Sequence, residues 1–156
     1  MNSVNLEYFG ISPLEIEVLY KTLSKLYLVD EKNLAQEFDY VSVLNIEFPV
    51  PYDENFFQSF GFDRWQILKG IFKEMKRRRG RKVLKISLSF SGITADTDSK
   101  LVFTLTSEIG EEFQFAIEKI QYMIDAIHVQ IKSRETKKQL ISYTYDPTTL
   151  KWVLTD

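Results

Sequence analysis

Eight cationic side chains crowd a short stretch of this chain: Lys73, Lys76, Arg77, Arg78, Arg79, Arg81, Lys82 and Lys85. Their chemistry is anion recognition. One or two cations in the last turn of a helix complement its macrodipole, and long stems cover apolar surface. Four in succession, Lys76 to Arg79, with two more after Gly80, repel one another, and an anionic partner would relieve that repulsion. A nucleic-acid phosphate backbone is the first expectation, with an acidic protein or anionic lipid surface behind it. The whole chain carries 20 Lys and Arg against 22 Asp and Glu, and its net charge of −2 argues against a generic nucleic-acid coat while allowing a local patch.

The second concentration is aromatic. Tyr52, Phe56, Phe57 and Phe60 precede Phe62 and Trp65, and a loop can hardly bury all of the first four. The segment either folds down as a lid over one end of a sheet or presents an apolar patch to a ligand or partner.

Little else points to chemistry. The single histidine, His128, sits at the margin of a helical apolar stripe, where a boundary role explains it. With no cysteine, disulfides, thiolate metal sites and thiol nucleophiles are excluded, so a catalytic centre would need carboxylates or lysines. Asp96 and Asp98 lie in a turn-forming Thr/Asp/Ser loop without the glycine and distal glutamate of an EF-hand, and Asp53-Glu54 is no stronger. The glycines form neither a dinucleotide fingerprint nor a Walker loop. The sequence therefore predicts no catalytic residue, no metal and no cofactor.

The elements that position these residues follow from periodicity. Ser12, Pro13 and Glu15 form a capping box that opens a helix running to about Leu28, with Ile16, Leu19, Leu23 and Leu26 on one side. Asp30 to Asn33 adds one more helical turn at most. Phe38 to Phe48 is β-branched and aromatic and reads as a strand ended by Pro49 and Pro51. Asp63 starts a second helix, stapled by Phe62 and Ile67, lined inside by Trp65, Leu68, Phe72 and Met75, and terminated by Gly80. Leu84 to Phe90 and Leu101 to Thr106 alternate as two antiparallel strands. An apolar stripe from Phe113 to Ile131 predicts one long helix over 111–132, although 112–117 also alternates like a strand. Gln139 to Tyr145 and Leu150 to Leu154 flank an Asp146-Pro147 turn as a terminal hairpin.

Setting aside the first helix and the last strand, the order is βαββαβ. That predicts an α+β, ferredoxin-like two-layer sandwich, with an antiparallel sheet and helices on one face. Its outward face would offer Lys85, Ser87, Ser89, Thr104 and Thr106 but no stacked aromatics, which disfavours base-stacking RNA recognition. The chain's 156 residues suit one domain, and the absence of a leader-like start or a long apolar run makes the cytoplasm the expected compartment, with no membrane partner. The expected function is a non-enzymatic binding module contacting nucleic acid through residues 73–85. The rivals are a protein-interaction or homo-oligomeric subunit using the aromatic 52–62 segment, and a small-ligand binder or enzyme with a carboxylate-based site.

Overall fold

The computed structural model describes residues 2–37, 39–93, 99–132 and 140–155. Seven strands form one mixed sheet: β1 (Ser3–Phe9), β2 (Leu28–Asn33), β3 (Ser42–Glu47), β4 (Leu84–Phe90), β5 (Lys100–Leu105), β6 (Leu140–Asp146) and β7 (Lys151–Thr155). Five helices connect them: α1 (Pro13–Leu23), α2 (Glu54–Phe60), α3 (Phe62–Arg79), α4 (Gly110–Lys119) and α5 (Ile124–Lys132), with a 3₁₀ turn at Ile120–Tyr122 between the last two.

The spatial order β2-β1-β3-β4-β5-β6-β7 rules out the four-stranded antiparallel ferredoxin-like sandwich. Three parallel pairs, β1/β2, β3/β4 and β5/β6, are each joined by a helical crossover, and antiparallel contacts β1/β3, β4/β5 and β6/β7 stitch these units together. The strands at 84–90 and 100–105 lie where alternation predicts them, and β3 occupies 42–47 within the β-branched and aromatic segment read as strand. What differs is the pairing, because each crossover returns to the neighbouring strand instead of skipping one.

Two strands carry weak sequence signals. In β1, Val4 and Leu6 are fully buried and alternate with Ser3 and Asn5, but the run is short. In β2 the residues Asp30, Glu31, Lys32 and Asn33 are all exposed, as suits an edge strand whose charges discourage further pairing. The expected helical turn at Asp30 to Asn33 is therefore strand, and α1 stops at Leu23 instead of Leu28, where Ser24 caps it.

All helices pack on one face. Val4, Leu6, Leu44, Ile46, Leu84, Ile86, Leu88, Leu101 and Phe103 on the sheet join Ile16, Leu19, Leu68, Phe72, Met75, Phe113 and Ile117 on the helices in one apolar cluster. β1 and β5 point the same way, yet their crossovers step in opposite directions along the sheet over that shared face. The two crossovers thus have opposite hands, and one of them departs from the usual right-handed preference.

The helices themselves follow local rules closely. Ser12 Oγ accepts from the Glu15 amide at 3.2 Å and Glu15 Oε1 accepts from the Ser12 amide at 3.1 Å, completing the capping box. Residues 54–60, expected as loop, form α2, because Asp53 Oδ1 caps the Phe56 amide at 2.9 Å. Gly61, at φ 92°, then turns the chain from α2 straight into α3, a backbone that a side chain would strain. The expected 111–132 helix is interrupted: Ile120–Tyr122 tightens into a 3₁₀ turn and Met123 separates α4 from α5, while residues 112–117 are helix. Among the described residues no helix is long and apolar enough to cross a membrane.

Candidate functional site

The basic segment is a set of internal ties. Arg79 is only 12% exposed, and it forks onto Glu15, itself 7% exposed, with Nη1–Oε2 at 2.9 Å and Nη2–Oε1 at 2.8 Å. Its Nε donates to Ser42 Oγ at 2.7 Å, and further bonds reach the Met75 and Gly10 carbonyls. One guanidinium thereby joins α1, α3, β3 and the turn after β1. Gly10 permits that turn: its φ is 67°, and a Cβ there would lie 2.3 Å from the Val41 carbonyl oxygen. Hydrogen bonding to Arg79 above all, with help from Ser12 and against the cost of burial, draws the Glu15 carboxyl down to about 2.

The other cations are mostly matched as well. Arg77 forks onto Glu74 at 2.9 and 2.6 Å, and Arg78 shares the same carboxylate at 3.3 Å. Lys76 is buried and donates to the Lys82 carbonyl at 3.2 Å; burial lowers its pKa. Lys73 pairs with Glu118 on α4, joined there by Lys69, which lies 2.9 Å from the same carboxylate. Those two lysines, Lys73 first, hold the Glu118 carboxyl below its ordinary range. Lys85 lies 3.4 Å from Glu37 and 5.3 Å from the centre of the Tyr40 ring. Of the eight cations, Arg81, Lys82 and Lys76 have no side-chain partner among the described residues; Arg81 and Lys82 are exposed, while Lys76 is buried on the Lys82 carbonyl. The residues do come together in space, five of them paired with carboxylates of the same chain.

The aromatic segment divides differently. Tyr52, Phe56 and Phe60 are core residues, with Phe48 packed against both Phe56 and Phe60 and stacked on Phe90. The Tyr52 hydroxyl donates to the Ile120 carbonyl across the base of the 3₁₀ turn, and burial pushes its pKa far up. So α2 closes one end of the sheet, and only Phe57 of the four reaches its surface.

Beside Phe57 a hollow of about 540 Å³ opens between α2, α3, the 3₁₀ turn and α5. Trp65 forms its floor, with the Phe57 ring 5.2 Å away in an edge contact. Phe62 and Tyr122 line it while 65% and 75% exposed, the two most exposed aromatic side chains among the described residues. Ile124 adds aliphatic surface, and the exposed carboxylates Glu54 and Asp125 stand at the mouth. Behind the wall, Gln121 Oε1 accepts from Trp65 Nε1 at 2.6 Å and from Lys69 Nζ at 2.8 Å, which fixes the indole and ties the 3₁₀ turn to α3.

The sequence reading missed most of this hollow. Phe62 was expected to staple α3 onto Ile67, yet both side chains are exposed and no such staple forms. Gln121, Tyr122 and Asp125 gave no signal, because the isoleucine stripe passes through the helix break without interruption. The one available cue was the surplus of aromatic residues around 52–65.

His128 is half-buried on α5, in keeping with a boundary position. Asp53 serves as the α2 cap, and Asp96 and Asp98 lie outside the described residues. Among the described residues no group of three or more His, Asp or Glu side chains is placed to hold a metal. No family model, characterised protein or solved structure among those compared matches this chain.

Proposed function

We propose that this chain is a protein-interaction module whose aromatic hollow receives an arginine or lysine side chain of a basic partner. The observation that carries the reading is the pair of open rings, Phe62 and Tyr122, lining one hollow with Trp65 and with the exposed carboxylates Glu54 and Asp125. Large apolar rings left in water are costly, and aromatic faces attract cations, arginine most often. The carboxylates favour the same charge and steer its approach. A volume of about 540 Å³ lies within the range of ordinary small-ligand and side-chain sites. The residues lining the hollow include no histidine or lysine, so its surfaces suit recognition by stacking and charge. The pairing of most of the 73–85 cations weighs against a nucleic-acid backbone as the partner.

The test is an NMR titration with N-acetylarginine amide, using the Trp65 indole N–H as reporter. Shifts confined to α2, the start of α3 and residues 121–125, weakened roughly tenfold by Tyr122→Ala, are expected. Shifts no larger than those caused by the neutral citrulline analogue would overturn the reading.

A further inference from the structure

Gly70 sits in the middle of an 18-residue helix, exposed, where glycine costs stability relative to alanine. Nothing inside the molecule requires it. A Cβ built at this position meets no atom within 4 Å, and the residue is not among those with positive φ. A glycine on a helix surface leaves room for another backbone to come close.

The surroundings of Gly70 say what that backbone is. Asp63 and Arg77 stand seven residues before and after it, so at 3.6 residues per turn all three fall on one line along α3, about 10 Å apart in each direction. One end of the line is acidic and the other basic. An antiparallel copy of α3 crossing at Gly70 places each Asp63 opposite the other copy's Arg77 and sets the two helix dipoles antiparallel. Arg77 is 72% exposed, so its bond to Glu74 leaves it accessible from this side. Next to the line, α1 and α3 leave an apolar cleft of about 310 Å³ in which Leu14, Val18 and Ile67 are 62%, 41% and 52% exposed. A two-fold contact centred on Gly70 covers these side chains in both copies.

We infer that the α1/α3 face is a self-complementary dimer interface, with a second copy of this chain packed antiparallel across Gly70. This face is separate from the aromatic hollow and does not depend on the function proposed for it.

Sedimentation equilibrium over a concentration series tests the inference. The wild-type chain is expected to dimerise, and Gly70→Leu, which the open space around Gly70 allows the monomer to accept, raises the dissociation constant at least tenfold. Asp63→Arg and Arg77→Asp each weaken the dimer, and the double variant Asp63→Arg/Arg77→Asp restores it by exchanging the charges. Thermal melts of the same variants show that each remains folded. A wild-type chain that stays monomeric at every concentration would overturn the inference, as would a dimer indifferent to Gly70→Leu or a double variant no better than the singles.

Discussion

The basic end of α3 and the aromatic hollow at its start invert what their sequences advertise. At the C-terminal end, eight cations look like surplus charge, yet carboxylates from α1, α3, α4 and the segment before β3 take up most of them. At the N-terminal end Phe62 looks like the staple of α3, yet it stays in water and, with Tyr122 from the 3₁₀ turn, lines a concave surface. Partners distant in sequence decide both outcomes. Glu15 and Arg79 are held together by the packing of α1 on α3, while Gln121 and Tyr122 reach the hollow from the 3₁₀ turn after α4. Local density of one residue type therefore measures demand for partners, and only the fold shows whether the chain meets that demand itself.

The contrast is easiest to break at Arg79. Arg79→Ala leaves the buried Glu15 carboxylate with only Arg78, 4.0 Å away, and a loss of about 3 kcal/mol in urea unfolding is expected. If the variant instead unfolds like the wild type, the corner is not a structural tie. The next effect is on acid stability. Glu15 lies near 2 in the fold against an ordinary value of 4.5, so protonation favours the unfolded chain. Its contribution is complete above about pH 5, disappears as pH falls through about 2, and is on the order of 2 kcal/mol. Urea midpoints measured down this range should show that decline, and Arg79→Ala should flatten it. Glu74, also drawn down to about 2 by Arg77, keeps 44% of its side chain in solvent, and screening leaves it little influence.

At the hollow the effects on stability are smaller and those on binding larger. Gln121→Leu takes away the acceptor shared by Trp65 and Lys69, with a loss of about 1–2 kcal/mol, because Lys69 keeps Glu118. A downfield-shifted Trp65 indole proton should disappear with it. Tyr122→Ala should change stability by no more than about 0.5 kcal/mol while weakening the arginine probe. Arg81→Gln together with Lys82→Gln, at the unmatched tip of the basic segment, should alter stability just as little and leave probe binding untouched. Were that double variant the one that abolished binding, the two regions would have to exchange roles.

How far these features could be read from residues follows from the range of the interactions involved. Many local signals hold: Ser12/Glu15 capping, the buried stripe Trp65, Leu68, Phe72 and Met75, the alternation in 84–90 and the Asp146-Pro147 turn all appear in place, whereas the Phe62/Ile67 staple does not form and α1 ends at Leu23. The larger failures come where a contact spans the chain. The parallel pairing of β1 with β2 and of β5 with β6 depends on crossovers whose direction periodicity does not encode. The edge strand β2 carries the polar sequence of a loop, since neither its edge nor its outer face needs apolar residues. Asp53 reads equally as a turn residue or as the cap of α2, and the choice rests on whether Phe56 and Phe60 find a core to enter. For the candidate site, the aromatic excess was visible and its shape was not, because Gln121 and Tyr122 join it from across the fold.

The most direct discriminator places both regions in a single measurement. Backbone and indole amide shifts should be followed while one labelled sample is titrated with a short arginine-containing peptide and another with a single-stranded oligonucleotide of matched charge, at physiological salt. The peptide should move Trp65 and its neighbours in α2 and residues 121–125, and the oligonucleotide should move nothing beyond Arg81 and Lys82. Saturable shifts along 73–85 with the oligonucleotide, and none at Trp65 with the peptide, would contradict the account.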